Sequence, residues 1–274
     1  ERRALKNEGL RNNYFKVSPD GRFLSYVKDE KLIVINNESF VRSDNTLFRA
    51  MAVASKVRSY DWNPDSKSVV VSSVNQRTQK YLAGFRYQDL AIIDLTPFVA
   101  QVDQEFAQKT FRDIDYTITE PVGLLSDFIW GSRYQFITHL SRAEEPAWSP
   151  DGKHIDFIKN RYGRKVLALF DLKEQKENIV TELADDSQVG APTWSPDSSQ
   201  IAFYLYDGKK QNIWIYSLAQ KKYLQVTYDD FDNRDPHWSK NKRELIYYVT
   251  NRGGIYNIFS IHQQCAILAN DVLR

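Results

Sequence analysis

Aspartates recur in this chain at positions that could be considered for metal binding. Asp20, Asp65, Asp151 and Asp197 each follow a proline in a repeated Pro-Asp turn. A calcium ion needs six to eight converging oxygen ligands, whereas each of these aspartates belongs to a separate turn. An aspartate in such a turn bonds nearby backbone N–H groups instead. The pattern therefore predicts turn-forming aspartates and no metal site.

Tryptophan and histidine are the other side chains that could build a ligand site. Four tryptophans stand at one fixed place relative to the turns, and this recurrence favours packing between repeated units over a ligand cage; they are Trp62, Trp148, Trp194 and Trp238. The histidines lack the spacing to an acidic partner that is typical of metal sites, which favours structural roles. They are His139, His154, His237 and His262.

The sequence contains no motif for covalent or nucleotide chemistry. It has no G-x-S-x-G nucleophile elbow, no Walker A motif, no G-x-G-x-x-G and no C-x-x-C. Its single cysteine, Cys265, cannot form an internal disulfide. We therefore expect no enzymatic activity and no cofactor.

Composition narrows the class of partner. The chain has 37 basic and 35 acidic residues and a net charge of +2, which argues against a generic nucleic-acid or anionic-membrane surface. No run of 18 apolar residues occurs, so no membrane span is expected. The aromatic content of 14% suits strands packed between repeated units.

The turns and strands that carry these residues belong to a sequence pattern that is repeated along the chain. E-P-A-W-S-P-D-G-K-H-I-D-F-I begins at Glu145, and A-P-T-W-S-P-D-S-S-Q-I-A-F-Y begins at Ala191. A weaker copy begins at Asp235, and looser copies begin at Tyr14 and Tyr60. In each copy a turn is followed by a β-rich run, which is a hairpin signal. Further strands follow, and four strands make one blade of a β-propeller.

The repeat spacing predicts an all-β fold, a single β-propeller of four-stranded antiparallel blades. The repeat tryptophans lie 46 and 44 residues apart, and 86 residues separate Trp62 from Trp148. Six blades are therefore expected over residues 13–274, with five blades plus an insertion as the alternative. The blades start near residues 14, 60, 106, 145, 191 and 235.

The segments outside the clear repeat copies have less regular patterns. Residues 1–12 are expected to be a linker or a strand that closes the ring. Residues 98–111 fit a short amphipathic helix about as well as strands. We assign Tyr116–Thr119, Leu124–Trp130 and Tyr134–Leu140 to the third blade, and Ala266–Ala269 to the last outer strand.

The pattern P-x-W-S-P-D-G-x-x-I-x-F, followed by I-x-x-x-D-L, resembles the repeat of TolB-type β-propellers, which are similar to WD-repeat propellers. The resemblance is specific over residues 146–172 and 192–227. It implies a non-enzymatic protein-interaction scaffold of the bacterial cell envelope, periplasmic or associated with the outer membrane. The implied partner is a protein or peptide, such as an envelope lipoprotein or an outer-membrane component, and the domain is expected to belong to a larger polypeptide or complex.

Strand counting predicts where a partner would bind. Loops between second and third strands, and loops entering each P-x-W, fall at one end of the blades, and loops on a repetitive scaffold carry function. The resemblance implies that the partner is received at this loop face and at the mouth of the channel. The candidate residues are Arg161, Tyr162, Arg164, Tyr206, Asp230, Phe231, Arg234 and Arg252.

Two other functions remain open from the sequence. One is the regulatory propeller of a prolyl-oligopeptidase-type serine peptidase whose catalytic domain is not in this sequence. The other is a carbohydrate-binding, small-ligand-binding or lyase propeller. It would need histidines, arginines or metal ligands that converge on the axis, and no such cluster is evident in the sequence.

Overall fold

Antiparallel strands make up nearly all the regular structure of the computed structural model, as the turn-and-strand repeat predicts. The structure describes residues 15–36, 50–75, 87–97, 99–100, 134–181, 186–240 and 244–268. The chain divides into two compact units, Glu1–Leu140 and Ser141–Arg274.

The first unit contains two sheets. Sheet 1 has the order β1 (Lys16–Val17), β2 (Phe23–Lys28), β3 (Lys31–Asn36) and β4 (Ala50–Ala54). Sheet 2 has the order β5 (Val57–Trp62), β6 (Ser68–Val74), β7 (Gln88–Asp94) and β8 (Tyr134–Phe136).

The second unit contains three sheets. Sheet 3 consists of β9 (Ala143–Trp148), β10 (His154–Arg161), β11 (Arg164–Asp171) and β12 (Lys176–Ile179). Sheet 4 consists of β13 (Gln188–Trp194), β14 (Gln200–Tyr206), β15 (Gln211–Ser217) and β16 (Lys222–Gln225), with β20 (Ile267–Leu268) added at its edge. Sheet 5 consists of β17 (Asn233–Trp238), β18 (Leu245–Thr250) and β19 (Asn257–His262).

The predicted four-stranded antiparallel blade is confirmed, but two strand assignments were wrong. Tyr134–Phe136 pairs with β7, so it is the fourth strand of sheet 2 and not a strand of a third blade. Ile267–Leu268 pairs with β16, so the tail extends sheet 4 and not the last blade. A single turn of 3-10 helix at Gln263–Cys265 redirects the chain between β19 and that edge.

The number of blades stays a prediction. The described residues form five sheets, and the pairing of β8 with β7 is what five blades plus an insertion would produce. The expected third blade near residue 106 and the segment 1–12 lie outside the described residues, as does most of segment 98–111. Within that segment the backbone is helical at Val99–Ala100, and Val99 N–H donates to Leu95 O at 2.9 Å.

Each Pro-Asp turn is held by its own side chains, which confirms the structural role of the aspartates. In sheet 3 the Ser149 hydroxyl donates to Asp151 Oδ1 at 2.6 Å, and Lys153 N–H donates to the same oxygen at 3.1 Å. Ser149 Oγ also accepts from His154 N–H at 2.9 Å. Asp20 and Asp197 make the corresponding bonds in sheets 1 and 4.

The last position of the turn requires a positive φ and links adjacent sheets. Gly152 has a φ of 71°, a conformation that costs glycine little, whereas serine occupies the same position at Ser198 with a φ of 61°. The Ser198 hydroxyl accepts a hydrogen bond from Asp151 N–H of sheet 3 at 3.0 Å. In the first unit, Ser66 accepts from Asp20 N–H in the same way at 3.0 Å. Serine therefore tolerates the strained position while joining one turn to the next.

These turns make stability depend on pH. Burial raises the pKa of Asp151, but the bonds from the Ser149 hydroxyl and Lys153 N–H outweigh it and leave that pKa below the usual value; the same balance holds for Asp20 and Asp197. A lowered folded-state pKa gives stability that is fully present above the unfolded value of about 3.9 and is lost as pH falls through the folded value.

We expect Asp151→Ala to lower the free energy of unfolding at pH 7 by about 1–2 kcal/mol, because two accepted hydrogen bonds are lost. The difference from the parent should shrink as the pH falls below about 4, where the parent carboxylate is itself protonated. Urea unfolding at several pH values measures both effects. A difference that stays constant down to pH ~2 would contradict the assignment.

The repeat tryptophans pack between neighbouring sheets, as predicted. Trp62 lies on Phe23 of sheet 1 with 6.2 Å between ring centroids, and its Nε1–H donates to Ser25 Oγ at 2.7 Å. Trp194 Nε1–H donates to Ala147 O of sheet 3 at 3.3 Å, and Trp238 Nε1–H donates to Thr193 O of sheet 4 at 3.1 Å. Each of these indoles therefore joins its own sheet to the preceding one, and Trp148 is buried as well.

Sheet 4 is buried on both faces of its third strand, β15. Trp214 is fully buried in a core shared with Ile158 and Leu167 of sheet 3. Its neighbours Ile213 and Ile215 point the other way, into a core with Trp238 and Ile246 of sheet 5. Strict alternation cannot distinguish an exposed face from a second buried one, because both faces here carry apolar residues.

Candidate functional site

We call the tips of sheets 3, 4 and 5 that lie opposite the turns between their first and second strands the loop end. It comprises the β10–β11, β14–β15 and β18–β19 connections and the segments that lead into β13 and β17. The antiparallel order of each sheet places these loops at one end of that sheet, as strand counting predicts. All eight predicted binding residues lie here.

Asp229 organises the segment that enters sheet 5. Its Oδ1 accepts from Asn233 Nδ2 at 2.7 Å and from Phe231 N–H at 3.2 Å, and its Oδ2 accepts from the Arg252 guanidinium. Burial raises the pKa of Asp229, but the bonds from Asn233 and Arg252 outweigh it and hold that pKa below its usual range. The carboxylate is therefore ionised at neutral pH and fixes this loop to the β18–β19 hairpin.

Lys210 and Asp232 join the loops of sheets 4 and 5. Lys210 Nζ lies 3.0 Å from Asp230 Oδ1 and donates to Asp229 O at 2.9 Å. Asp232 Oδ1 accepts from Gln211 N–H at 3.3 Å, and Asp232 N–H donates to Asn251 Oδ1 at 2.9 Å. Because bonds cross from one sheet to the next, these loops form a connected surface rather than separate tips.

Two arginines in this surface lie against aromatic rings. The Arg252 Cζ is 5.3 Å from the ring centroid of Phe231 and 5.6 Å from that of Phe259. The Arg234 Cζ is 4.3 Å from the ring centroid of Tyr256. Arginine and aromatic side chains are enriched where proteins bind other proteins. The surface is therefore rich in the residue types that are common at protein interfaces.

The β10–β11 hairpin forms a second group. Arg161 lies 5.7 Å from the ring centroid of Tyr162, and Arg164 completes the turn as the cross-strand partner of Arg161. Tyr162 at the tip of this hairpin is 92% exposed. In the loop that enters sheet 5, the Asp230 side chain is also fully exposed, and it forms an ion pair with Lys210. Tyr206 turns back onto its own loop and donates to Gly208 O at 2.9 Å.

A polar cluster below the loop end surrounds Tyr204. The first strands β9, β13 and β17 each shift register before a proline, and the residues there adopt positive φ at Glu145, Ala191 and Asp235. Glu145 Oε2 accepts from Ala191 N–H at 3.0 Å across two sheets. Burial raises the pKa of Tyr204; Glu145 and Asp235 raise it further, and Arg234 lowers it. The phenol of Tyr204 is therefore neutral at neutral pH.

The structure brings some of the predicted residues together and separates others. Asp230, Phe231 and Arg252 share the network around Asp229, while Arg161, Tyr162 and Arg164 form the separate hairpin tip. Sequence reasoning missed Lys210 and Tyr256. Lys210 lies in a loop already singled out, and Tyr256 follows Gly253–Gly254, a glycine pair that lengthens the hairpin and could have indicated it.

The described ranges contain neither a candidate metal-binding cluster nor a candidate membrane-spanning helix. No three His, Cys, Asp or Glu side chains come together there in a way that could hold a metal ion. No helix in the part of the chain that the structure describes is long and apolar enough to cross a membrane.

Solved structures resemble this fold at low sequence identity. The structure of a putative TolB from Agrobacterium tumefaciens matches with a TM-score of 0.62 and 14% identity, over 94% of this chain and 79% of that chain. A prolyl endopeptidase matches with a TM-score of 0.59 and 10% identity, over 92% of this chain and 33% of that chain. These likenesses show the fold alone.

A curated relative and a family model extend the comparison to sequence. The Tol-Pal system protein TolB of Anaeromyxobacter dehalogenans is 26% identical over 112 residues, which cover 41% of this chain and 25% of that protein. The match thus spans a quarter of the relative's length. The model of the TolB beta propeller domain matches residues 126–268, just over half of the chain. This chain therefore belongs to the TolB beta propeller domain family.

Proposed function

We propose that this chain is a non-enzymatic interaction scaffold of the bacterial cell envelope, in the periplasm or at the outer membrane. Its loop end binds a protein or peptide partner, such as an envelope lipoprotein or an outer-membrane component. The observation that carries the proposal is the connected surface of charged and aromatic side chains across the loops of sheets 4 and 5. The similarity to a protein named for the Tol-Pal system supports the compartment and the class of partner.

The binding surface can be tested with two variants of equal net charge. Arg161→Glu combined with Asp230→Lys reverses two exposed charges at the loop end. Lys173→Glu combined with Glu174→Lys does the same in the β11–β12 turn, at the opposite end of sheet 3. Each variant and the parent would be immobilised and exposed to detergent-solubilised envelope membranes, and captured proteins would be quantified by mass spectrometry.

We expect the parent and the turn variant to capture the same envelope protein, and the loop-end variant to capture about tenfold less, because like charges then face each other across the interface. Circular dichroism and thermal unfolding check that both variants fold. Equal capture by all three proteins would contradict the proposed surface. Capture of no envelope protein by the parent would contradict the scaffold function.

A second candidate is the regulatory propeller of a serine peptidase, which the fold likeness to a prolyl endopeptidase favours. Such an enzyme needs a G-x-S-x-G motif in an α/β domain next to the propeller. The sequence of the complete gene distinguishes the two proposals: a downstream domain with that motif supports the peptidase, and its absence from the gene excludes it.

A further inference from the structure

Tyr162 occupies an unusual position at the tip of the β10–β11 hairpin. Arg161 pairs with Arg164, so only Tyr162 and Gly163 form the loop. Their φ values are 53° and 85°, and Gly163 N–H donates to Asn160 Oδ1 at 3.1 Å. Positive φ at both central residues defines a type I′ turn, in which asparagine, aspartate or glycine is strongly preferred at the first position.

Neither the backbone nor packing explains a tyrosine at this position. A left-handed conformation is unfavourable for a bulky side chain, and a ring that is 92% exposed gains almost nothing from burial. The corresponding hairpins of sheets 1, 4 and 5 place smaller or acidic residues at positive φ; these are Asp29, Glu30, Gly208, Gly253 and Gly254. Sheet 3 differs from them in placing a large aromatic residue at a position of positive φ.

The surroundings of the ring indicate what it would meet. The Arg161 guanidinium lies 5.7 Å from the ring centroid, and Arg164 is the cross-strand partner of Arg161 in the same turn. Tyrosine and arginine are the side chains that most often carry the binding energy of an interface, and such residues insert into pockets of the partner. Two flanking cations favour carboxylates at the rim of that pocket.

We propose that Tyr162 is the anchor of the loop end, inserting into an apolar pocket of an acidic partner protein whose rim carboxylates meet Arg161 and Arg164. The inference rests on the proposed function, because it names the chemistry of the partner at the same surface. A protein pocket is favoured over a lipid surface because one ring and two cations supply little membrane affinity, about 1 kcal/mol for each cation.

Photo-crosslinking from three positions tests the anchor separately from the function. A benzophenone amino acid would replace Tyr162, Asp230 or Glu174 in the native gene, and crosslinked peptides would be identified by mass spectrometry. We expect one acidic envelope protein to crosslink from positions 162 and 230, and nothing from 174. Crosslinks from 230 alone would overturn the anchor and leave the function standing. No crosslink from either loop-end position would overturn both.

The crosslinked protein then serves as the probe for affinity. Tyr162→Asn supplies the residue that the turn prefers, so the variant is expected to fold at least as stably as the parent. Its affinity should fall by about 30-fold or more, as for other anchor residues. An unchanged affinity would overturn the proposal. Binding of the parent to phosphatidylglycerol vesicles that is lost in Tyr162→Asn would also overturn it, in favour of a membrane surface.

Discussion

Replacing Trp194 by alanine is expected to lower the free energy of unfolding by about 3–5 kcal/mol, the largest effect of any substitution considered. The indole is 6% exposed and lies in a core that also contains Ile158 and Leu167 of sheet 3 and Phe203 of sheet 4. The substitution leaves a large cavity and removes the Nε1–H bond to Ala147 O, which otherwise joins the two sheets. Denaturant unfolding followed by circular dichroism measures the loss.

Tyr162→Ala is the matched control, because it also removes an aromatic ring from the second unit but from an exposed position. Its free energy of unfolding should stay within about 0.5 kcal/mol of the parent. If Trp194→Ala cost less than about 1 kcal/mol, packing between sheets would not depend on the repeat tryptophan, and the structural account of the repeat would be wrong.

Gly190→Ala is expected to lower the free energy of unfolding by about 1–3 kcal/mol through overpacking. A Cβ at this position of β13 would lie 2.5 Å from Tyr204 Oη and 2.7 Å from Tyr204 Cζ. Gly190 does not have a positive φ, so the close approach of the ring, rather than backbone freedom, requires glycine here. Tyr204 cannot retreat easily, because it packs against the core between sheets 4 and 5.

A double-mutant cycle isolates this contact. In a Tyr204→Val background the ring is gone, so adding Gly190→Ala should cost little, and the coupling between the two sites should reach about 1 kcal/mol or more. Additive effects would show that the alanine is tolerated by a backbone shift and that the packing of Tyr204 is not what requires glycine.

The blade could be predicted from sequence because its signals are local. A Pro-Asp turn fixes the hairpin within a few residues, and the tryptophan at a constant offset marks the packing face between sheets. The strands at Tyr134 and Ile267 were misassigned because their pairing is long-range. β8 pairs with β7 across some forty residues, and β20 extends the preceding sheet. Nothing in a three-residue or two-residue strand encodes which edge it joins.

The position of the candidate site could be predicted from the sequence, but the contacts between its side chains could not. Strand counting located the loop end, since antiparallel order alone decides where each hairpin lies. The network around Asp229 depends instead on side chains from two sheets, and Arg252 meets Asp229 across 23 positions of sequence. Gly190 likewise carries no local signal, because its partner Tyr204 belongs to another strand.

Hydrogen–deuterium exchange of this chain, with and without the captured partner, would test most directly the claim that binding occurs at the loop end. We expect slower exchange on binding at the loop end, in segments 160–164, 207–211, 229–235 and 250–254. We expect no change in the Pro-Asp turns or in the turns between third and fourth strands, in segments 149–153, 172–175, 195–199 and 217–221. Protection confined to those turns, or no protection in any segment while the partner is bound, would contradict it.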